Sequence, residues 1–174
     1  MLHRCATLTN MAQQYPALGL DDKQLLDELF SLLGNRIDTD PYGEDGAHAA
    51  ALRRLPIGLR AMAATHHLDV SLTMDDIGWH FLNFGEPGFV EETENGLRVL
   101  ELHELAGWFA EARDIVIPLR AEIKKSGDYV VCMTRRRRLE RINELTRMAR
   151  QKGSSIYDAW VKYARRHPQN VFGK

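Results

Sequence analysis

Apolar residues recur at three- and four-residue steps along almost the whole chain, the period of an amphipathic helix. Leu25, Leu26, Leu29, Phe30, Leu32 and Leu33 follow Asp21-Asp22 and stop at Gly34. That pattern predicts a helix with acids at its positive end. Thr39–Gly46 is polar and turn-rich. Ala47–Leu68 is alanine-rich and helical but divided at Pro56, which suits the start of a second helical piece. Thr73 is the expected N-cap of the next helix, with Asp76 three residues on as a short capping box. That helix carries Ile77, Phe81, Leu82 and Phe84 and stops at Gly85. Pro87 opens another, with Phe89, Val90, Leu97, Val99 and Leu100 turned inward. Leu102–Val116 has the stripe Leu105, Ala106, Trp108, Phe109, Ala112, Ile115 and Val116.

The last third reads the same way. Pro118 marks a kink or a new start, and Ser126-Gly127-Asp128 a turn. Tyr129–Cys132 has strand-like composition, but a strand that short needs a partner, so it belongs to a helix or loop. A helix over Thr134–Lys152 faces inward through Leu139, Ile142, Leu145 and Ala149. Gly153-Ser154-Ser155 separates it from a helix over Ile156–Arg166, which Pro168 ends. The expectation is an all-α fold: one compact domain over residues 1–174 with about seven or eight helices. Residues 1–20 are expected to be loosely ordered, and 119–174 to form a basic helical part.

Composition agrees with one soluble globular domain, or at most two small ones: 174 residues, 44% hydrophobic and 27% charged. The hydrophobic fraction excludes a disordered chain, and no apolar run reaches a membrane span. Cys5 and Cys132 lack a CxxC spacing, and Met1–Tyr15 lacks a signal-peptide core, so a reduced cytoplasmic setting is expected.

The charge total, 23 Lys+Arg against 24 Asp+Glu, conceals a split. Residues 1–118 hold 8 basic and 19 acidic side chains; residues 119–174 hold 15 and 5, a net of −11 against +10. Such a chain can satisfy itself, pair with a copy of itself, or show two faces to two partners.

Three chemistries follow. Asp75, Asp76, Glu86, Glu91, Glu92 and Glu94 flank one helix–loop–helix. Carboxylates spaced on a folded surface can imitate the phosphate row of DNA and occupy a basic protein surface. Arg135, Arg136, Arg137 and Arg138, followed by Arg141, Arg147 and Arg150, can grip phosphates. Placed at a helix N-terminus they oppose the dipole, which favours pairing with the acidic part over nucleic acid. No aromatic residue interleaves the run, as single-strand binders require. His80, His103 and Glu104 suggest a metal-dependent hydrolase. The zincin spacing fails, because Gly107 stands where the second histidine belongs. No nucleophile elbow or phosphate-cradling glycine motif is present, so no catalytic residue and no cofactor are expected.

One stretch carries a resemblance. Asp76-Ile77-Gly78-Trp79-His80-Phe81-Leu82-Asn83-Phe84-Gly85, then Gly88-Phe89, Gly96–Leu102 and Glu104–Ala112, resembles the middle of small helical bacterial domains related to a DNA-mimic protein. Trp160–Pro168 resembles their closing helix, and together these segments cover about half the chain. The resemblance implies an all-helical fold, a capacity to dimerise and no enzymatic residues. The leading expectation is therefore a non-enzymatic inhibitor, immunity-type or regulatory protein that binds a basic protein surface through its acidic part. A nucleic-acid binder ranks second and a metal-dependent hydrolase third. No membrane partner is expected.

Overall fold

The structure is a computed structural model and describes residues 14–152 and 156–173. The fold is all-α, with no strand among the described residues. A 3-10 turn, Pro16–Gly19, precedes α1 (Asp22–Gly34), α2 (Ala47–Leu52), α3 (Ile57–Met74), α4 (Ile77–Asn83), α5 (Pro87–Val99) and α6 (His103–Val116). A second, Ile117–Leu119, leads into α7 (Arg120–Ser126), α8 (Tyr129–Arg135), α9 (Leu139–Lys152), α10 (Ile156–Arg166) and the single turn α11 (Gln169–Phe172). Ten of these described helices have six residues or more, against the seven or eight expected. The surplus lies in short helices such as α2, α7 and α8. Two turns are too few to display a hydrophobic period.

α3 is the hub. It touches α1, α2, α4, α5, α9, α10 and α11. Leu59, Ala61, Met62, Ala63, Ala64, Thr65, Leu68 and Leu72 are all buried along it. So broad an apolar surface belongs inside, and its alanines let neighbours come close. At Gly96 on α5 a Cβ would lie 2.9 Å from the Ala61 carbonyl oxygen. Only a residue without a side chain permits that α3–α5 approach. Thr93 Oγ1 donates to Ala64 O on α3 at 3.0 Å, and Trp160 Nε1 on α10 donates to Thr65 Oγ1 at 3.0 Å. Trp160, Phe81, Phe89 and Phe109 are the largest fully buried side chains, and they join one cluster that runs from Leu25 to Val171.

The helix ends differ from expectation at two places. Thr73 lies inside α3, and Asp76 is itself the N-cap of α4, accepting from Gly78 N at 2.7 Å and Trp79 N at 3.0 Å. Pattern alone set the cap one turn early, because Thr73 and Asp76 have a capping-box spacing while α3 in fact runs on to Met74. The expected Thr134–Lys152 helix begins only at Leu139, and Thr134 belongs to α8. Tyr129–Cys132 is helical, with Asp128 as N-cap accepting from Val131 N at 2.9 Å. Cys132 is buried, its Sγ 3.2 Å from Ser126 Oγ. Cys5, most of the expected N-terminal segment and the Gly153–Ser155 separator lie outside the described residues.

Candidate interaction surfaces and a cleft

The six acidic candidates do not form a free row. Asp76 and Glu86 are helix caps; Glu86 accepts from Gly88 N at 2.9 Å and Phe89 N at 2.7 Å. Asp76 also accepts from the Tyr129 hydroxyl at 3.1 Å, and burial raises its pKa. Glu92 is 2% exposed and is gripped by Arg53 Nε and Arg60 Nη2, each at 2.7 Å. Glu91 pairs with Arg53 at 3.3 Å. Glu94 pairs with Arg98 at 2.5 Å and with Arg113. Asp75 is exposed and holds Asp76 N at 3.1 Å.

The opposed parts of the chain meet instead. Arg120 grips Glu44 with two bonds of 2.6 and 2.9 Å, Lys124 joins it, and these donors hold the Glu44 carboxyl down to about 2. Arg141 grips Glu111 at 2.6 and 2.7 Å and lowers that carboxyl too. Arg165 reaches Asp22 at 2.6 Å, and Arg166 reaches Glu101 at 2.8 Å.

The arginine candidates divide. Arg136 pairs with Glu122 at 3.0 Å, Arg141 also meets Glu144 at 2.6 Å, and Arg147 donates to Gln151 Oε1 at 3.1 Å. Arg150 caps the end of α3, donating to Leu72 O at 2.7 Å and to Asp75 O. Arg135, Arg137 and Arg138 are exposed, and none has a carboxylate partner among the described residues. The run also sits elsewhere than expected. It closes α8 rather than opening α9, so its first members meet the negative end of a helix dipole and are favoured there.

The closing turn holds Arg137 at φ 55°. Arg138 N bonds Met133 O and Arg137 N bonds Thr134 O, both at 2.9 Å, the paired bonds of a Schellman end. Glycine suits that left-handed position best, and arginine occupies it. Val130 and Val131 on α8 are 56% and 40% exposed beside the run.

The histidine candidates are not brought together. His80 is fully buried, its Nδ1 3.2 Å from Ser71 Oγ and its Nε2 without a partner, and burial pushes it down to about 3. Its ring lies among Phe81, Phe84 and Phe109. His103 and Glu104 stand at the start of α6, on the wall of a cleft that His80 does not line. Among the described residues no group of three or more His, Cys, Asp or Glu side chains is arranged to hold a metal.

That cleft, about 670 Å³, lies between the end of α3, the start of α6, the end of α9 and the start of α10. Leu72, Leu102, Leu105, Ala149 and Ile156 give it an apolar floor. Asp69, Glu101, Glu104 and Arg150 contribute its charges. Tyr157 links Asp69 to His66, whose Nδ1 is 2.9 Å from the phenol oxygen. Pattern reading missed Asp69 and Tyr157. They come from different helices, and the one local signal was the three-residue step from His66 to Asp69, which puts them on one face of α3. No helix among the described residues is long and apolar enough to cross a membrane. No family model, curated protein or solved structure matches the chain.

Proposed function

We propose that this chain is a non-enzymatic binding protein whose working surface is the α8–α9 corner, and that it takes the phosphate backbone of duplex nucleic acid. One observation carries the reading. Among the described residues of 119–174, the other arginines and Lys124 have a carboxylate or carbonyl partner, whereas Arg135, Arg137 and Arg138, adjacent in one run, are exposed without one. Three exposed guanidiniums at and beside a left-handed turn can each meet a phosphate oxygen. The absence of aromatic residues from the run favours a duplex over unpaired bases. The test is a mobility-shift assay at low salt with mixed-sequence DNA and RNA duplexes. Wild type shifts the duplex, and the Arg135→Gln/Arg138→Gln variant does not. No shift by the wild type would overturn the reading.

A protein partner with a basic surface is the second reading, on a different acidic surface from the expected row. Tyr42 is 61% exposed in the loop that carries Asp38, Asp40 and Asp45. A Cβ at Gly46 would meet Glu86 Oε1 at 3.7 Å, so that cap borders the same surface. An exposed aromatic in a loop that carries carboxylates suits an arginine side chain. Binding of an arginine-rich peptide that Tyr42→Ala abolishes supports this reading; binding that survives the substitution removes it.

A further inference from the structure

We propose that the strap Asn35–Gly46 and the first turn of α2 form a pH-sensitive latch, closed while His48 is neutral and lifted when His48 takes a proton. The strap joins α1 to α2, and none of its residues is fully buried. Glu44 ties it to Arg120 and Lys124 of α7. Its Tyr42 ring lies 4.9 Å from the Phe84 ring at the end of α4. Thr39 ties it to His48 on α2, whose Nδ1 is 2.9 Å from Thr39 Oγ1 and 3.3 Å from Thr39 O. Both polar anchors are imperfect. Three buried side-chain nitrogens among the described residues have no hydrogen-bond partner, and two of them are His48 Nε2 and Arg120 Nε. Each such atom disfavours the closed state, and contact with water on opening removes that cost.

A proton on His48 adds to the imbalance. The residue is 6% exposed, and an imidazolium has two N–H donors, of which the one on Nε2 meets no acceptor. Asp40 in the strap and Glu86 at the start of α5 are the carboxylates that face the ring. Asp40 is engaged with Tyr42 N at 2.9 Å, and Glu86 caps α5. His67 on α3 faces it at 6.1 Å between ring centroids, and the Phe89 ring at 4.7 Å brings no charge. Burial accordingly lowers the His48 pKa from the ordinary 6.5. Opening restores it, so protons favour the lifted strap as pH falls below 6.5. His67 and His80, held down to about 4 and about 3, stay neutral at pH 5, and Glu44, held down to about 2, stays ionised. His66 bonds Tyr157 of α10 rather than the strap. Lifting bares the Phe84 ring, which is 4% exposed while the strap is closed.

Amide hydrogen exchange of the full chain, followed by NMR at pH 7 and pH 5 with rates corrected for the intrinsic effect of pH, tests the proposal. The Ala50 amide bonds Gly46 O at 3.0 Å. Its protection falls at least about tenfold, the effect of one proton taken up on opening, while α10 amides stay better protected at both pH values. His48→Asn keeps a polar atom near Thr39 but does not titrate, and it cuts the fall to less than about threefold. Glu44→Gln weakens an anchor, so it lowers Ala50 protection at pH 7 and moves the His48 titration toward 6.5. Equal Ala50 protection at the two pH values would overturn the latch, as would a wild-type fall in His48→Asn or Ala50 exchanging no faster than α10. Should His48→Asn fail to fold, Glu44→Gln decides, and a His48 titration that it leaves unmoved would overturn the proposal.

Discussion

Glu92 on α5 accepts a hydrogen bond from Arg60 Nη2 on α3 at 2.7 Å, and both groups belong to the seam where those two helices cross. The carboxylate is 2% exposed and also takes Arg53 Nε at 2.7 Å. It is a structural anion that ties α5 to α3 and to the turn after α2. A buried carboxylate with guanidinium partners is costly to disturb, because its loss leaves the cations half-desolvated. Glu92→Gln therefore lowers stability by about 2–3 kcal/mol. Urea denaturation measures this, and a midpoint equal to wild type contradicts the assignment.

The close α3–α5 approach makes a second prediction. A methyl group at Gly96 would meet the Ala61 carbonyl oxygen at 2.9 Å and Ala61 Cα at 3.2 Å, both backbone atoms that have little room to move. Gly96→Ala raises helix propensity yet destabilises by about 1–3 kcal/mol, as overpacking does. Thermal denaturation reads it; a Tm at or above wild type would show that the helices part easily.

Two left-handed helix ends are built from charged residues. Arg137 has φ 55° and Glu101 φ 63°. At the end of α5, Leu102 N bonds Leu97 O at 2.8 Å and Glu101 N bonds Arg98 O at 3.1 Å, the same closure as at α8. Glycine at either position relieves strain, so Arg137→Gly and Glu101→Gly each stabilise by about 0.5–1 kcal/mol. The two residues stand at the proposed arginine corner and at the cleft. A gain in stability joined to a loss of duplex binding in Arg137→Gly marks a residue kept for function. A stability loss in both variants refutes the strain argument.

Acid sensitivity follows from the buried imidazoles. An unfolded histidine titrates near 6.5, whereas burial lowers His67 to about 4 and His80 to about 3. His48 and His66 shift in the same direction, again by burial. Above pH 6.5 both states are neutral and stability is level. As pH falls from 6.5 toward 4 the unfolded chain binds more protons than the folded one, so stability declines. Glu44 and Glu111, held low by their cations, add to the loss as pH falls through the ordinary carboxylate range. The urea midpoint is flat from pH 8 to about 7 and falls below 6.5, and His80→Leu makes the fall shallower. A midpoint unchanged down to pH 5 in wild type contradicts this.

Much of the fold was legible in the pattern. α1 opens at Asp21, Pro56 and Pro87 mark helix starts, and α6 spans almost the expected residues, because each carries a period or punctuation within its own segment. α7 and α8 were harder, since two turns show no period. The fate of the charges was not legible at all. Glu44 and Arg120 are 76 residues apart and Glu111 and Arg141 30 apart, and only packing decides that they meet. The six-carboxylate row looked free in sequence because caps and buried ion pairs use the same residue types as open surfaces. Arg135–Arg138 was visible as a run, but its division into a paired Arg136 and unpaired neighbours depends on Glu122 across the α7–α8 turn.

The salt dependence of duplex binding tests the central claim most directly. Fluorescence anisotropy with a labelled mixed-sequence DNA duplex, repeated from low to physiological salt, gives log K against log salt. Three phosphate contacts from Arg135, Arg137 and Arg138 predict a slope of about −3. Each Arg→Gln change at these positions reduces its magnitude by about 1. No measurable binding at low salt, or a slope that the three substitutions leave unchanged, would contradict the account.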